Sequence, residues 1–268
     1  MINFFKYNSA GNDFIIIDNR LEEFSVDTKL IRKLCNRNFG IGADGLILLE
    51  SHNQSNYFMN YFNSDGLPAS LCGNGSMCCG HFASRLNILT NSDLSFKGSF
   101  ATREGAFDIV VKENNLVCVN MPPVLDFSMI NNDIIINTGS PHYIKFAKKL
   151  ESLDVNKEGA DIRYSQKFLP NGINVTFVEQ NDSDIFIRTY ERGVESETLS
   201  CGTGVVAAAI SMWIQKMIHI KNDIIIRTKG GVLNVSFKYN DRTKTFFDIN
   251  LSNRVECVFQ GQISSSQF

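Results

Sequence analysis

The sequence predicts an α+β protein of two pseudo-symmetric domains, each a mostly antiparallel β-sheet curled around a central buried helix. Three observations predict it. First, Leu71-Cys72-Gly73-Asn74-Gly75 and Ser200-Cys201-Gly202-Thr203-Gly204 look like copies, each placing a Cys before Gly-polar-Gly and opening an apolar, helix-like segment. Second, other landmarks recur at matched spacing: Glu50 and Glu179 each lie 22 residues before their cysteine, and Gly11 and Gly139 lie 61 and 62 before it. Third, the flanking runs are short and alternate with period two, whereas Val205 to Ile214 is apolar nearly all round, as a helix enclosed by sheet must be.

Along the chain, Phe14 to Ile17 reads as a buried strand, and Leu30, Ile31 and Leu34 mark one face of a short helix capped by Asp27. Gly40 to Gly45 reads as a loop whose glycines allow close backbone approach. Strands follow at Leu46–Glu50 and Tyr57–Asn63, then a turn at Ser64-Asp65-Gly66 and a helix from about Gly75 to Leu86. Leu94–Phe100, Phe107–Lys112 and Leu116–Asn120 read as an antiparallel meander. Pro122-Pro123 marks a domain boundary, giving 1–122 with Cys72 and 123–268 with Cys201. The second half repeats the plan: strand Asp133–Asn137, a loop-like Gly139-Ser140-Pro141-His142, a helix near 152–164, and strands Val175–Glu179 and Asp184–Tyr190. A helix from Gly204 to about Met217 follows, with strands at Asp223–Arg227, Val232–Lys238, Thr245–Leu251 and Val255–Phe259 and a frayed tail, Ser264–Phe268.

Composition narrows the function. A net charge of -2 gives no electrostatic footprint for nucleic acid or an anionic membrane, so neither is expected as a partner. The segment from Met1 to Tyr7 has no apolar signal core, and the Val205–Ile214 run is too short to span a bilayer, which points to the cytoplasm. Seven cysteines, an odd number, fit a reducing compartment rather than a disulfide framework.

The repeated cysteines carry the chemistry. A Cys at a helix start meets unpaired backbone N–H groups and the positive end of the helix dipole, which favour thiolate and can also hold a carboxylate. One base that removes an α-proton and returns it to the same face changes nothing. A thiolate and a thiol on opposite faces invert the centre. Cys72 and Cys201 are therefore candidate acid–base groups, whereas Cys35, Cys78, Cys79, Cys118 and Cys257 read as small buried hydrophobes. His142 and Glu191 are candidates for setting which thiol is ionised. Arg192 and the amides Asn12, Asn63, Asn74 and Asn174 are candidates for holding amino-acid ammonium and carboxylate groups. Neither Cys-Gly-x-Gly motif carries a Lys, and Cys72, Cys78, Cys79 and His81 lack a paired C-x-x-C spacing, so neither pyridoxal phosphate nor a metal is expected.

These motifs resemble the diaminopimelate epimerase family nearly end to end. They are Gly11-Asn12-Asp13-Phe14, Phe39 to Gly45, Phe62-Asn63-Ser64-Asp65-Gly66, Cys72-Gly73-Asn74-Gly75, Gly139-Ser140-Pro141-His142, Gly172-Ile173-Asn174-Val175 and Glu191-Arg192-Gly193 with Glu197 to Gly204. The resemblance implies a cofactor-independent isomerase interconverting LL- and meso-diaminopimelate in lysine and peptidoglycan precursor synthesis. By the same resemblance Cys72 and Cys201 are the catalytic pair, and His142 and Glu191 modulate their pKa values. Asn12, Asn63, Gly73, Asn74, Asn174, Glu191, Arg192, Gly202 and Thr203 bind substrate. It further implies two domains closing on the substrate, a homodimer, and a final strand, about 255–268, returning to the N-terminal domain. The chain departs from the family's usual residues at Gly45, Pro68, Met77 and Ser140. Two other readings are a related cofactor-independent amino-acid racemase and a non-catalytic Cys/His metal-binding module.

Overall fold

The computed structural model describes residues 1–69, 71–181, 184–218 and 223–264. It divides into two compact units, Met1–Val119 with the chain from Asn253 onward, and Asn120–Ser252. The first holds β1 (Ile2–Ser9), β2 (Asn12–Asp18), α1 (Thr28–Cys35), β3 (Gly45–Glu50), β4 (Tyr57–Asn63), α2 (Gly73–Arg85), β5 (Thr90–Ser92), β6 (Ser95–Thr102) and β7 (Gly105–Lys112), and β8 (Leu116–Met121) leads out of it. β1 is antiparallel to β2, β2 parallel to β3, β3 antiparallel to β4 and β4 parallel to β6. β6, β7 and β8 complete an antiparallel meander, with the short β5 on β6.

The second unit holds β9 (Phe127–Ile130), β10 (Asp133–Asn137), β11 (Pro141–Phe146), α3 (Val155–Arg163), β12 (Asn174–Asn181), β13 (Asp184–Glu191), β14 (Ser196–Thr198), α4 (Gly202–Ile214), β15 (Ile224–Thr228), β16 (Gly231–Asn240) and β17 (Thr245–Arg254). Its pairings copy the first: β10 antiparallel to β11, β11 parallel to β12, β12 antiparallel to β13, β13 parallel to β15, then β15, β16 and β17 antiparallel. The parallel steps fall where a helix crosses between strands, α1 and α2 in one unit and α3 and α4 in the other. The last strand, β18 (Glu256–Ile263), lies antiparallel on β1, with Ile2 opposite Ile263. The end of the tail, 265–268, lies outside the described residues.

α2 and α4 are the axes of the units. Gly73 through Ser84 and Gly202 through Met212 are buried without a break. α2 packs against β1, β2, β3, β4 and β7, and α4 against β10, β11, β12, β13, β15 and β16. Such a helix has no solvent face for long polar side chains, which accounts for Ala207, Ala208 and Ala209 and for Gly80, where a Cβ would sit 1.9 Å from Ile109 Cδ1. Both helices begin two residues earlier than the periodicity indicates, with Cys72 and Cys201 as their N-caps in extended conformation. Glycine reads as a helix breaker because of its backbone entropy, but Gly73 and Gly202 directly follow the N-caps, at the positions where the helices only begin. Both helices also end alike. Asn87 and Lys216 adopt left-handed φ values of 54° and 58°, and Ile88 N and Met217 N bond back to Ala83 O and Met212 O at 3.0 and 2.9 Å. This stop precedes Met217, so α4 is shorter than expected.

Five strands, β1, β5, β9, β11 and β14, are absent from the sequence expectation. β1 mixes buried Phe4, Lys6 and Tyr7 with half-exposed neighbours, so its alternation is broken. Cys35, Cys78 and Cys79 are buried, but Cys118 and Cys257 are only half-buried, their strands having one open face. Among the described residues no helix is long and apolar enough to cross a membrane.

Outside each sheet sits a second apolar layer. In the second unit Leu150, Val155, Ile173, Val175, Phe177 and Tyr190 form one cluster, closed by α3. Gly159 is required there because a Cβ would stand 2.4 Å from the Cβ of Tyr190. Phe177 is fully buried in this layer and its truncation leaves a cavity that the strand backbone cannot close. Phe177→Ala is expected to lower stability by about 3–5 kcal/mol. Urea unfolding followed by circular dichroism checks this; a loss below about 1 kcal/mol would show that the layer is loosely packed.

Candidate active site

In the first unit, Cys72 caps α2 with its side chain. Its Sγ accepts from Gly75 N at 3.4 Å and donates to Asn12 Oδ1 at 3.5 Å. The orientation of the Asn12 amide is set from behind: its Nδ2 donates to Asp44 Oδ2 at 2.6 Å, and a carboxylate only accepts, so the carbonyl end is left for the sulfur. Asp44 also accepts from Asp13 N at 3.2 Å and from Arg37 Nη2 at 2.8 Å. Arg37 bridges to Asp13 through both terminal nitrogens, at 3.0 and 2.7 Å. Lys6 closes the network, its Nζ 2.6 Å from Asp13 Oδ2 and donating to Gly42 O. Burial alone would raise the Asp13 carboxyl, but the hydrogen bonds and charges of Arg37 and Lys6 outweigh it and hold it at about 2.

Among the other residues of that unit, Asn74 is buried in the first turn of α2, with Ser9 Oγ donating to its Oδ1 at 3.5 Å. Asn63 ends β4 and is exposed, with its backbone carbonyl accepting from Gly66 N at 2.9 Å. Gly45 pairs opposite Asn63 and has no room for a side chain, since a Cβ would lie 2.5 Å from both Phe62 O and Tyr61 Cε2. Met77 is fully buried within α2, and Pro68 bridges to Phe62.

In the second unit, Cys201 is the N-cap of α4 without a side-chain capping bond; its carbonyl accepts the first intrahelical bond, from Val205 N at 2.9 Å, and its Sγ lies 3.5 Å from Thr203 Oγ1. Thr203 Oγ1 is 2.8 Å from His142 Nε2, and His142 Nδ1 is 3.1 Å from Thr176 Oγ1. His142 is therefore not in a loop. It is the second residue of β11 and fully buried, opposite Asn174 of β12. Pro141 reads as a breaker, yet the first position of a strand is where proline is accepted. Burial, and then the charge of Arg192, push the imidazole down to about 3, so it is neutral at physiological pH. Asn174 is buried, with Nδ2 donating to Ser140 Oγ at 2.7 Å and Pro141 O at 3.0 Å, and Oδ1 accepting from Arg192 N at 2.8 Å. Ser140 thus has a defined partner. Glu191 closes β13, and Arg192 follows it, with Nη1 donating to Asn171 O at 3.4 Å.

Each unit therefore gathers its own candidates: Cys72, Gly73, Asn74 and Asn12 in one, and Cys201, Gly202, Thr203, His142, Asn174 and Arg192 in the other. Sequence reasoning passed over Lys6, Asp13, Arg37, Asp44, Thr176 and Thr189. Asp13 and Asp44 lie inside quoted motifs, which was a usable signal; a threonine on a strand carries none. Among the described residues no group of three or more His, Cys, Asp or Glu side chains could hold a metal ion. Cys78 and Cys79 are fully buried in α2, where burial pushes both thiols up, so they fit packing rather than ligation.

A family model described as diaminopimelate epimerase matches residues 4–125 and 134–250. A diaminopimelate epimerase of Flavobacterium psychrophilum is 46% identical, over 97% of this chain and 99% of the relative. That of Chlorobaculum tepidum is 38% identical, over 96% and 99%. Among solved structures, a PhzF-family phenazine biosynthesis protein of Bacillus anthracis superposes with a TM-score of 0.75 at 16% identity, over 98% of this chain and 99% of the other. A probable proline racemase of Agrobacterium radiobacter does so with a TM-score of 0.74 at 13% identity, over 100% and 94%. The structural likenesses establish the fold. Fold and sequence together define an isomerase of the epimerase class. The chain belongs to the diaminopimelate epimerase family.

The Asp13 carboxyl gives a testable pH dependence. Its folded value, about 2, lies below the ordinary 3.8, so it stabilises the fold above about pH 4, and that contribution is lost as pH falls toward 2. Asp13→Asn is therefore expected to be less stable than wild type at pH 6, with the gap closing between pH 4 and 2. Urea midpoints across that range check it, and a gap that stays constant would refute the assignment.

Proposed function

We propose that this protein interconverts LL- and meso-diaminopimelate by two-base proton transfer at the α-carbon, with Cys72 and Cys201 as the bases. The observation that carries the reading is the repeated helix start, a Cys N-cap followed by buried Gly-polar-Gly, in a chain 46% identical to a diaminopimelate epimerase. In one direction the thiolate of one cysteine takes the α-proton, and the thiol of the other delivers its proton from the opposite face. The reverse direction exchanges their roles. The carbanion-like state is very unfavourable, so the protein must supply donors placed in advance. The first-turn N–H groups of α2 and α4, at Gly73, Asn74, Gly202 and Thr203, are such donors for the substrate carboxylate.

The remaining roles follow from chemistry. Asn12, held by Asp44, presents a carbonyl to Cys72. Asn63, Asn174 and Arg192 answer to the distal amino-acid end, which diaminopimelate has and proline lacks. Glu191 and neutral His142 modulate the thiols. The reaction as written uses no pyridoxal phosphate or metal, and in this reading the enzyme is a cytoplasmic homodimer.

Incubation with LL-diaminopimelate in heavy water is expected to place deuterium at the α-carbon and yield the meso form. Cys72→Ser and Cys201→Ser are each expected to slow epimerisation by about 10²–10⁴-fold, since a hydroxyl keeps the shape but is a far weaker base. Near wild-type epimerisation by either variant would end the two-base reading, and turnover of proline in place of diaminopimelate would move the protein to the related racemases.

A further inference from the structure

The two units differ in what packs against the first turn of their axial helices. The nearest atoms to a Cβ built on Gly75 of α2 belong to Ile47, Met59 and Phe14. The nearest to one built on Gly204 of α4 belong to Thr176, His142 and Thr189, at 3.0, 3.1 and 3.2 Å. In the repeat, His142 takes the place of Phe14 and Thr176 that of Ile47, three residues after Gly139 or Gly11 and three before Glu179 or Glu50. The first unit shows that hydrocarbon fills this place and the unit still folds. Burying an imidazole and two hydroxyls there costs desolvation unless each is bonded. All are bonded, in a line: Cys201 Sγ to Thr203 Oγ1, then to His142 Nε2, and from His142 Nδ1 to Thr176 Oγ1 and on to Thr189 Oγ1 at 3.1 Å.

We propose that Thr176 and Thr189 are positioning residues that fix the tautomer of His142 and so keep the Thr203 hydroxyl donating to the Cys201 sulfur. Each hydroxyl has one hydrogen, and a neutral imidazole has one N–H. If Nε2 were bare, Thr203 would donate to it and the sulfur would have no hydrogen from that hydroxyl. With the hydrogen on Nε2, the imidazole donates to Thr203, and the Thr203 hydrogen turns to the sulfur. Which nitrogen carries the hydrogen is decided at the far side of the ring. Thr189 donates to Thr176, Thr176 donates to Nδ1, and Nε2 keeps its proton. Asn174 Nδ2, 3.5 Å from Nε2, does not compete, because its hydrogens go to Ser140 and Pro141 at shorter distances. The inference rests on Cys201 acting as a base, whose thiolate gains from a donor.

The charge acting on His142 is that of Arg192, at the end of β13, and it opposes a second proton on the ring. Cys201 is the other titratable group in the line, and Glu191 precedes Arg192. Further ionisable side chains of β11, β12 and β13 are engaged elsewhere: Tyr143 with Asp133, Lys145 with Glu158, Glu179 with Lys149 N and Leu150 N, Asp184 with Arg227, Arg188 with Glu197, and Tyr190 with Glu195.

The test has two readouts. Nitrogen NMR of the imidazole in the full chain is expected to show Nε2–H in the wild type, and a mixture with Nδ1–H in Thr176→Val. Alkylation of Cys201 by iodoacetamide, followed by mass spectrometry against pH in a Cys72→Ser background, is expected to slow about tenfold at neutral pH in Thr176→Val, the loss of one hydrogen bond to a charged group. Thr176→Ser, which keeps the hydroxyl, is expected to restore it. Thr189→Val is expected to give a smaller loss and serves if Thr176→Val does not fold. An Nδ1–H wild type, or an alkylation profile unchanged in the valine variants, overturns the proposal even when Cys201→Ser is inactive. Full epimerisation by Cys201→Ser instead removes the reading beneath it.

Discussion

The controlling constraint is that each unit buries a helix from its first residue through all but its last one or two. Most helices leave their first N–H groups to water, but α2 and α4 start inside the protein, where an unpaired donor is expensive. Something must meet those groups. In α2 Cys72 meets one of them, Gly75 N, with its sulfur; Cys201 makes no such side-chain bond in α4, and in the proposed reaction a substrate carboxylate suits what is left over. The same enclosure dictates the small residues along both helices and the glycines of the first turn. Chemistry and packing therefore ask for one sequence pattern, a polarizable cap followed by residues too small to block the approach.

That coincidence is why so much is legible in the sequence. The strands Tyr57–Asn63 and Asp133–Asn137 matched residue for residue, because each is a short run of aromatic or β-branched residues bounded by Asn or Asp. Cys72 and Cys201 stood out because they are duplicated, and Asp27 because a cap residue precedes an apolar face. Less legible were features fixed by distant partners. Lys6 reads as an exposed charge, but Asp13 and Gly42 hold it inside, which disrupts the pattern of β1. Pro141 reads as a loop residue until the strand beginning at it is seen. Thr176 and Thr189 look like ordinary strand residues, and only the residues they face give them meaning.

Duplication of a scaffold does not require duplication of its lining. Both sheets use the same order of parallel and antiparallel pairs, and both axial helices stop with a left-handed residue and a backward hydrogen bond. Yet Cys72 is approached by an amide held from an ion-paired cluster, and Cys201 by a hydroxyl in a neutral, buried line. The charges behind Asn12 are strong and partly open to water; the groups behind Thr203 are uncharged and dry. In the proposed two-base reaction the thiols hold opposite protonation states at the start, which unlike surroundings serve better than like ones.

The pairing of β18 with β1 has a consequence for synthesis. Ile2 and Ile263 are register partners, so the first unit is assembled from the two ends of the chain while the second is inserted whole between them. On a ribosome, β1 emerges early and waits with one edge unpaired until nearly all the remaining sequence has followed. The second unit, whose strands and helices are contiguous, has no such delay and can complete its sheet first. Long-range closure of this kind is slow, and an open edge is where strands pair wrongly. Lys6 on that waiting strand is a charge in the middle of the edge, which disfavours pairing with a stranger before β18 arrives.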